Sequence, residues 1–113
     1  MTRRALLESL IEAWRAGDAL RAGAHFAADA VYREARHEPL AGREAIVAHF
    51  TAFFRDGPPW ELEVDDVVLE GERAALRYRF ILYPRSAERR ERPGCAFVAF
   101  GDGGICEWRE YEG

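Results

Sequence analysis

Lysine, asparagine and glutamine are all missing from this sequence, and its 16 basic residues are all arginines. Without lysine there is no amine to form a Schiff base with pyridoxal phosphate or a carbonyl substrate, and no phosphate-loop lysine. Without asparagine there is no acceptor for N-glycosylation. No apolar run is long enough to span a membrane, and Met1-Thr2-Arg3-Arg4 leads into an amphipathic helix instead of an apolar signal core. The expectation is a cytoplasmic domain with no membrane partner.

Positive charge is outweighed as well. A formal net charge of -4 argues against nucleic acid as a partner, because binding it relies on neutralising phosphates. The one basic cluster, Arg85, Arg89, Arg90 and Arg92, is diluted by Glu88 and Glu91 and reads as a solvated loop. What is present suits one domain over residues 1–113, with 49% hydrophobic and 12% aromatic residues to build a core. There is no internal repeat, low-complexity segment or linker.

Leu6, Leu7, Leu10, Ile11 and Trp14 recur at helical spacing and predict a first helix from Arg3 to Ala16. Gly17 suits a left-handed stop, and Asp18 can cap a second helix from Ala19 to Ala27. The stretch F-A-A-D-A-V-Y-R-E from Phe26 to Glu34 then passes into a strand that puts Tyr32 and Glu34 on one face. Residues 35–41 read as a loop. A third helix opens at Gly42, carries Ile46, Phe50, Phe53 and Phe54 as its stripe, and stops at Gly57-Pro58-Pro59.

From Trp60 the period is two. A three-residue turn, Glu70-Gly71-Glu72, would pair Glu63 with Arg79 and Asp65 with Arg77, and would put Val68 inside. Val67, Leu69, Ile81 and Tyr83 would then lie on the outer face. Pairing Phe100 with Ile105 across the last turn would put Cys95, Phe97 and Ala99 on the face of Cys106, Trp108 and Glu110. That register holds the two cysteines apart, and free thiols fit a reducing compartment.

This order of elements, with F-A-A-D-A-V-Y-R-E, L-A-G-R-E-A-I and I-C-E-W-R-E-Y at its joints, resembles the nuclear transport factor 2-like superfamily. Within it the chain is most similar to the SnoaL-like group, which includes polyketide cyclases and ketosteroid isomerases. The resemblance implies an α+β cone, with three N-terminal helices packed in the concave face of a curved, mixed and mostly antiparallel sheet. It also implies an apolar pocket and a homodimer formed through the sheet's outer face. Ketosteroid isomerases carry a catalytic aspartate at the end of the first strand, where this chain has Glu34. Their oxyanion tyrosine and protonated aspartate fall on Leu10 and Cys95, so that mechanism is not expected here.

Glu34 is therefore a candidate general base, its pKa raised by an apolar cavity. The alternative is a structural carboxylate paired with Arg33, Arg36 or another arginine. Tyr32 and His37 are candidates to orient a substrate. Trp14, Trp60, Tyr78, Phe80, Cys95, Phe97, Trp108 and Glu110 would line the pocket, with Glu110 either a second carboxylate or a pocket-mouth salt bridge. His25 reads as exposed and His49 as a half-buried packing residue. The three histidines lack metal-ligand spacing, so neither a metal nor a cofactor is expected. Three functions follow: an isomerase, cyclase or lyase acting on a small apolar molecule, a protein that binds such a molecule without turnover, or a dimerisation module with a vestigial pocket.

Overall fold

The computed structural model describes residues Met1–Gly113. In chain order the elements are α1 (Arg3–Arg15), α2 (Ala19–Gly23), β1 (Phe26–Arg33), β2 (Leu40–Ala41), α3 (Arg43–Asp56), β3 (Trp60–Glu70), β4 (Arg73–Leu82), β5 (Arg90–Gly101) and β6 (Gly104–Glu112). The strands form one curved, unclosed sheet in the order β2-β1-β6-β5-β4-β3. Only β1 and β6 run parallel; the other neighbours are antiparallel.

The helices start where side-chain acceptors can satisfy free amides. Thr2 Oγ1 accepts from the Ala5 amide at 3.0 Å, and Asp18 Oδ1 from the Arg21 amide at 3.1 Å. Between them Gly17 takes φ 68, a left-handed conformation that ends α1 without a Cβ clash. Helix α2 is shorter than predicted, because Phe26 already opens β1. Gly23 packs so tightly on Val47 of α3 that any side chain there would collide with it. Leu7, Leu10 and Trp14 of α1 and Ile46 and Phe50 of α3 are buried against Phe26, Ala30 and Tyr32 of β1. Leu76 of β4 with Ala96, Val98 and Phe100 of β5 closes the same core.

Two β-bulges overturn the predicted faces of the hairpins. The turn between β3 and β4 has two residues, Gly71-Glu72, because Glu70 pairs with Arg73. Nearer the strand ends, Glu63 still pairs with Arg79, and the register shift is absorbed at Asp65. The bulge turns Val67 and Leu69 inward and leaves Val68 63% exposed, reversing the expectation for all three. It also replaces the expected ion pairs: Asp65 reaches Arg79 at 2.9 Å, and Asp66 faces Arg77 at 3.5 Å. The shift in register is thus taken up within β3, and the turn has two residues instead of three.

The last hairpin behaves the same way. Phe100 pairs with Ile105 as predicted, but Ala99 pairs with Glu107, so Cys106 is the extra residue. Trp108 and Glu110 consequently lie opposite Val98 and Ala96 on the inner face. Cys95 and Phe97 lie on the outer face, opposite Tyr111 and Arg109, and do not line the concave side. A single inserted residue inverts every later side chain, since the strand period is two.

Candidate functional site

Tyr32 ends the inward row of β1 and is 5% exposed. Its hydroxyl donates to Glu110 Oε2 at 3.3 Å. Trp108 stands two residues before Glu110 on the same face of β6, and its indole Nε1–H donates to the same oxygen at 2.9 Å. The two rings are nearly parallel, at 14° with centroids 6.4 Å apart. Tyr78 of β4 approaches from the other side, over Gly94. A methyl group on Gly94 would stand 2.8 Å from the Tyr78 hydroxyl, so glycine makes room for that tyrosine.

This setting decides the protonation of Glu110. Burial disfavours its charged form and the nearby Glu34 carboxylate adds repulsion, while hydrogen bonds from Trp108, Tyr32 and Tyr78 oppose them; the result is a pKa of about 7. Burial and the Glu110 carboxylate push both tyrosines above the usual phenol range, so they remain donors.

Glu34 follows β1 directly, and its Oε1 lies 2.9 Å from Nε2 of His49 on α3. The hydrogen bond to Glu34 raises the His49 pKa, against the opposing effect of burial. The imidazole sits 5.9 Å from the Tyr32 ring. Two carboxylates, one imidazole, two phenols and one indole therefore meet at the end of the β1–β6 pair. An open cleft of about 410 Å³ lies there, lined by Glu34, Glu110 and Glu112 and by Arg33, Arg36 and Arg109.

The other predicted site residues are more dispersed. Trp14 packs edge-on against Trp108, with centroids 5.1 Å apart, and also meets Phe50, as part of the core. Trp60 stacks on Phe54 and touches Phe80, beside a larger open cleft of about 1000 Å³ between the end of α3 and the start of β3. That cleft holds neither Glu34 nor Glu110. His37 is exposed and does not line the smaller cleft. His25, expected at the surface, is partly buried and joins Ser9 Oγ to the end of α2. Position 95 supplies no inward group, because its strand turns Gly94 and Ala96 to the concave side. His49 is partly buried and packs on Tyr32 and Phe50, as expected, but it also engages Glu34, which is not anticipated from the sequence. Its signal is a titratable ring three residues after Ile46, within the apolar stripe. No group of three or more His, Cys, Asp or Glu side chains is placed to hold a metal ion.

Solved structures with this architecture are numerous, and all those described here are remote in sequence. An epoxide hydrolase of M. tuberculosis described as LEH-like shares 18% identity, over 96% of this chain and 80% of its own, with a TM-score of 0.82. SalBIII, an epoxide hydrolase/cyclase-like enzyme in pyran ring formation in the polyether salinomycin, shares 14% identity, over 98% and 90% of the two chains, with a TM-score of 0.83. A protein of Catenulispora acidiphila with a ketosteroid isomerase-like fold, in complex with trimethylamine, shares 17% identity over 94% and 83%, also at 0.83. At these identities the likeness establishes the fold. No curated protein matches the sequence. The model of the SnoaL-like domain matches residues 7–108, which include Tyr32, Glu34, His49 and Trp108 and end two residues before Glu110, and the chain belongs to that family.

Proposed function

We propose that this protein is a small-molecule enzyme that moves a proton at the cleft between the ends of β1 and β6. Glu34 acts as general base and Glu110 as the paired acid. The observation that carries this reading is the convergence of Trp108 and Tyr32 on one oxygen of Glu110, beside a second carboxylate engaged by His49. Neighbouring carboxyl groups with different surroundings titrate apart, which allows one to hold a proton while the other accepts one. Near neutral pH a protonated Glu110 can donate to a carbonyl or epoxide oxygen. Glu34, oriented by His49, takes a proton from carbon or from water. Isomerisation, ring closure, elimination and epoxide opening all fit that exchange, and the solved relatives include two epoxide hydrolase-like proteins.

Binding without turnover is the second reading, favoured by Glu34 and Glu110 already being engaged within the chain by His49, Tyr32 and Trp108. Trp14, Phe26, Tyr32, Phe50 and Trp108 pack ring against ring in the interior, so a ligand would be held in the cleft at the mouth.

Proton NMR in D2O, with a panel of enolisable cyclic ketones and cyclic epoxides, separates the two. The expected result is α-deuteration or ring opening that is lost in both Glu34→Gln and Glu110→Gln. Compounds that bind but exchange no proton and open no ring would overturn the enzyme reading.

A further inference from the structure

β1 and β6 run side by side as far as Arg33 and Arg109, which are direct partners in the parallel pair. Beyond them β1 leaves the sheet through a turn in which Arg36 takes φ 67, the one left-handed residue that is not glycine. β6 continues to Glu112. The gap between the parting strands is the cleft of about 410 Å³, so side chains from both faces of the sheet line it. Glu34 and Glu110 belong to the concave side, and Arg33 and Arg109 to the convex side.

Of the arginines around that gap, Arg33 has no ion-pair partner within the chain. Two guanidinium groups on adjacent strands at one register repel each other unless an anion lies between them. Arg36 is already paired with Glu112 at 3.0 Å. Arg109 meets Glu107 at 3.4 Å and the Tyr111 side chain, while its Nε–H is shielded from solvent and has no acceptor. A shielded donor without a partner carries a cost that a ligand oxygen would remove. Arg33 enters no ion pair.

We infer that Arg33 and Arg109 form an anion subsite at the rim of the cleft, and that the molecule bound there is a small organic acid whose carboxylate bridges the two guanidinium groups. The flat fork of each guanidinium matches a carboxylate, which can accept from both. The rest of the molecule then extends past the strand ends toward Glu110. This deepens the proton-transfer reading and rests on it for the reaction, but not for binding.

Benzoate and its neutral isostere benzamide are the probes, with inorganic phosphate as a third ligand, and calorimetry reads the affinity. Benzoate should bind and benzamide should not. Arg33→Gln and Arg109→Gln should each weaken benzoate by roughly tenfold or more, the scale of a lost charge-assisted hydrogen bond. Arg33 is exposed at a strand end, so its variant remains informative if Arg109→Gln folds poorly, and Arg109→Lys should recover part of the affinity. Benzoate binding is read without any turnover, which keeps a failed catalytic reading distinct from a failed subsite. Equal binding of benzamide, or benzoate affinity unchanged in Arg33→Gln and Arg109→Gln, would overturn the inference. So would phosphate binding more tightly than benzoate, which would mark a site for free inorganic anions. Benzoate affinity that falls as protein concentration rises would assign the site to a carboxylate of a second copy, and would also overturn it.

Discussion

Glu34 Oε1 stands 2.9 Å from His49 Nε2, and none of the arginines forms an ion pair with that carboxylate. The residue at the end of β1 is held by a group that itself titrates near neutral pH. Coupling of that kind joins a structural contact to proton chemistry, whereas an arginine clamp would have fixed the charge permanently.

The first expected outcome concerns this pair. The raised His49 pKa means that the contact stabilises the fold below the ordinary imidazole value of 6.5, and that the contribution is lost as pH rises through the folded value. Glu34→Gln should lower the His49 pKa, read by NMR titration of the imidazole protons. Both side chains are about a third exposed, so the stability cost at pH 5 should stay below about 1 kcal/mol. An unmoved His49 titration would show that the pair does not form in solution.

Glu110 carries the larger pH effect. Its folded pKa of about 7 stands above the 4.5 of an ordinary glutamate, so its ionisation opposes folding, increasingly as pH rises from 4.5 through 7. Above that range the cost is about 3 kcal/mol. Glu110→Gln should therefore raise stability at pH 8, have little effect at pH 4, and flatten the profile between them. Urea denaturation at both pH values measures this, and equal effects would refute the raised pKa.

Trp108→Phe isolates the indole donor while keeping an aromatic ring in the core. Losing the 2.9 Å hydrogen bond removes stabilisation of the ionised carboxylate, so the Glu110 titration should move upward. Carboxyl-resolved NMR would read the change, and a downward movement would contradict the geometry.

The bulge in β3 makes a prediction about pairing. Asp65 and Arg79 should show coupling in a double-mutant cycle, because Arg79 binds both Asp65 oxygens. Glu63 is the direct register partner of Arg79 but has no ion pair with it, so the Glu63/Arg79 cycle should show less. Stronger coupling in the Glu63 cycle would restore the unbulged register.

A homodimer through the outer face of the sheet is a further proposal. Phe97 is 40% exposed there and Tyr111 52%, which are large apolar surfaces for a sheet with every helix on its other side. Light scattering should show a dimer at micromolar concentration, and Phe97→Glu should produce a monomer that keeps its helix and sheet content. A monomeric wild-type protein would end this proposal.

Much of the architecture was legible in the residues. Apolar spacing marked α1 and α3, Gly57-Pro58-Pro59 marked the end of α3, and alternation put Tyr32 and Glu34 inward. These signals are local, and nothing in the tertiary structure competed with them. Trp108 and Glu110 were also paired on one face, since their spacing of two does not depend on the partner strand. Their neighbours were assigned wrongly. Cys95 and Phe97 took the place of Ala96 and Val98 because the bulge at Cys106 has no residue-level signature.

The sequence by itself determined the classes of element, their order, and the presence of an inward carboxylate after β1. Those follow from backbone and side-chain preferences that act over a few residues. Only the tertiary structure decided that Glu34 meets His49, that three polar rings surround Glu110, and that Arg33 stands beside Arg109. Each of these contacts depends on where a bulge falls or where a helix crosses a strand. Such positions are set by packing of the whole core, to which the residues at the site contribute only a part.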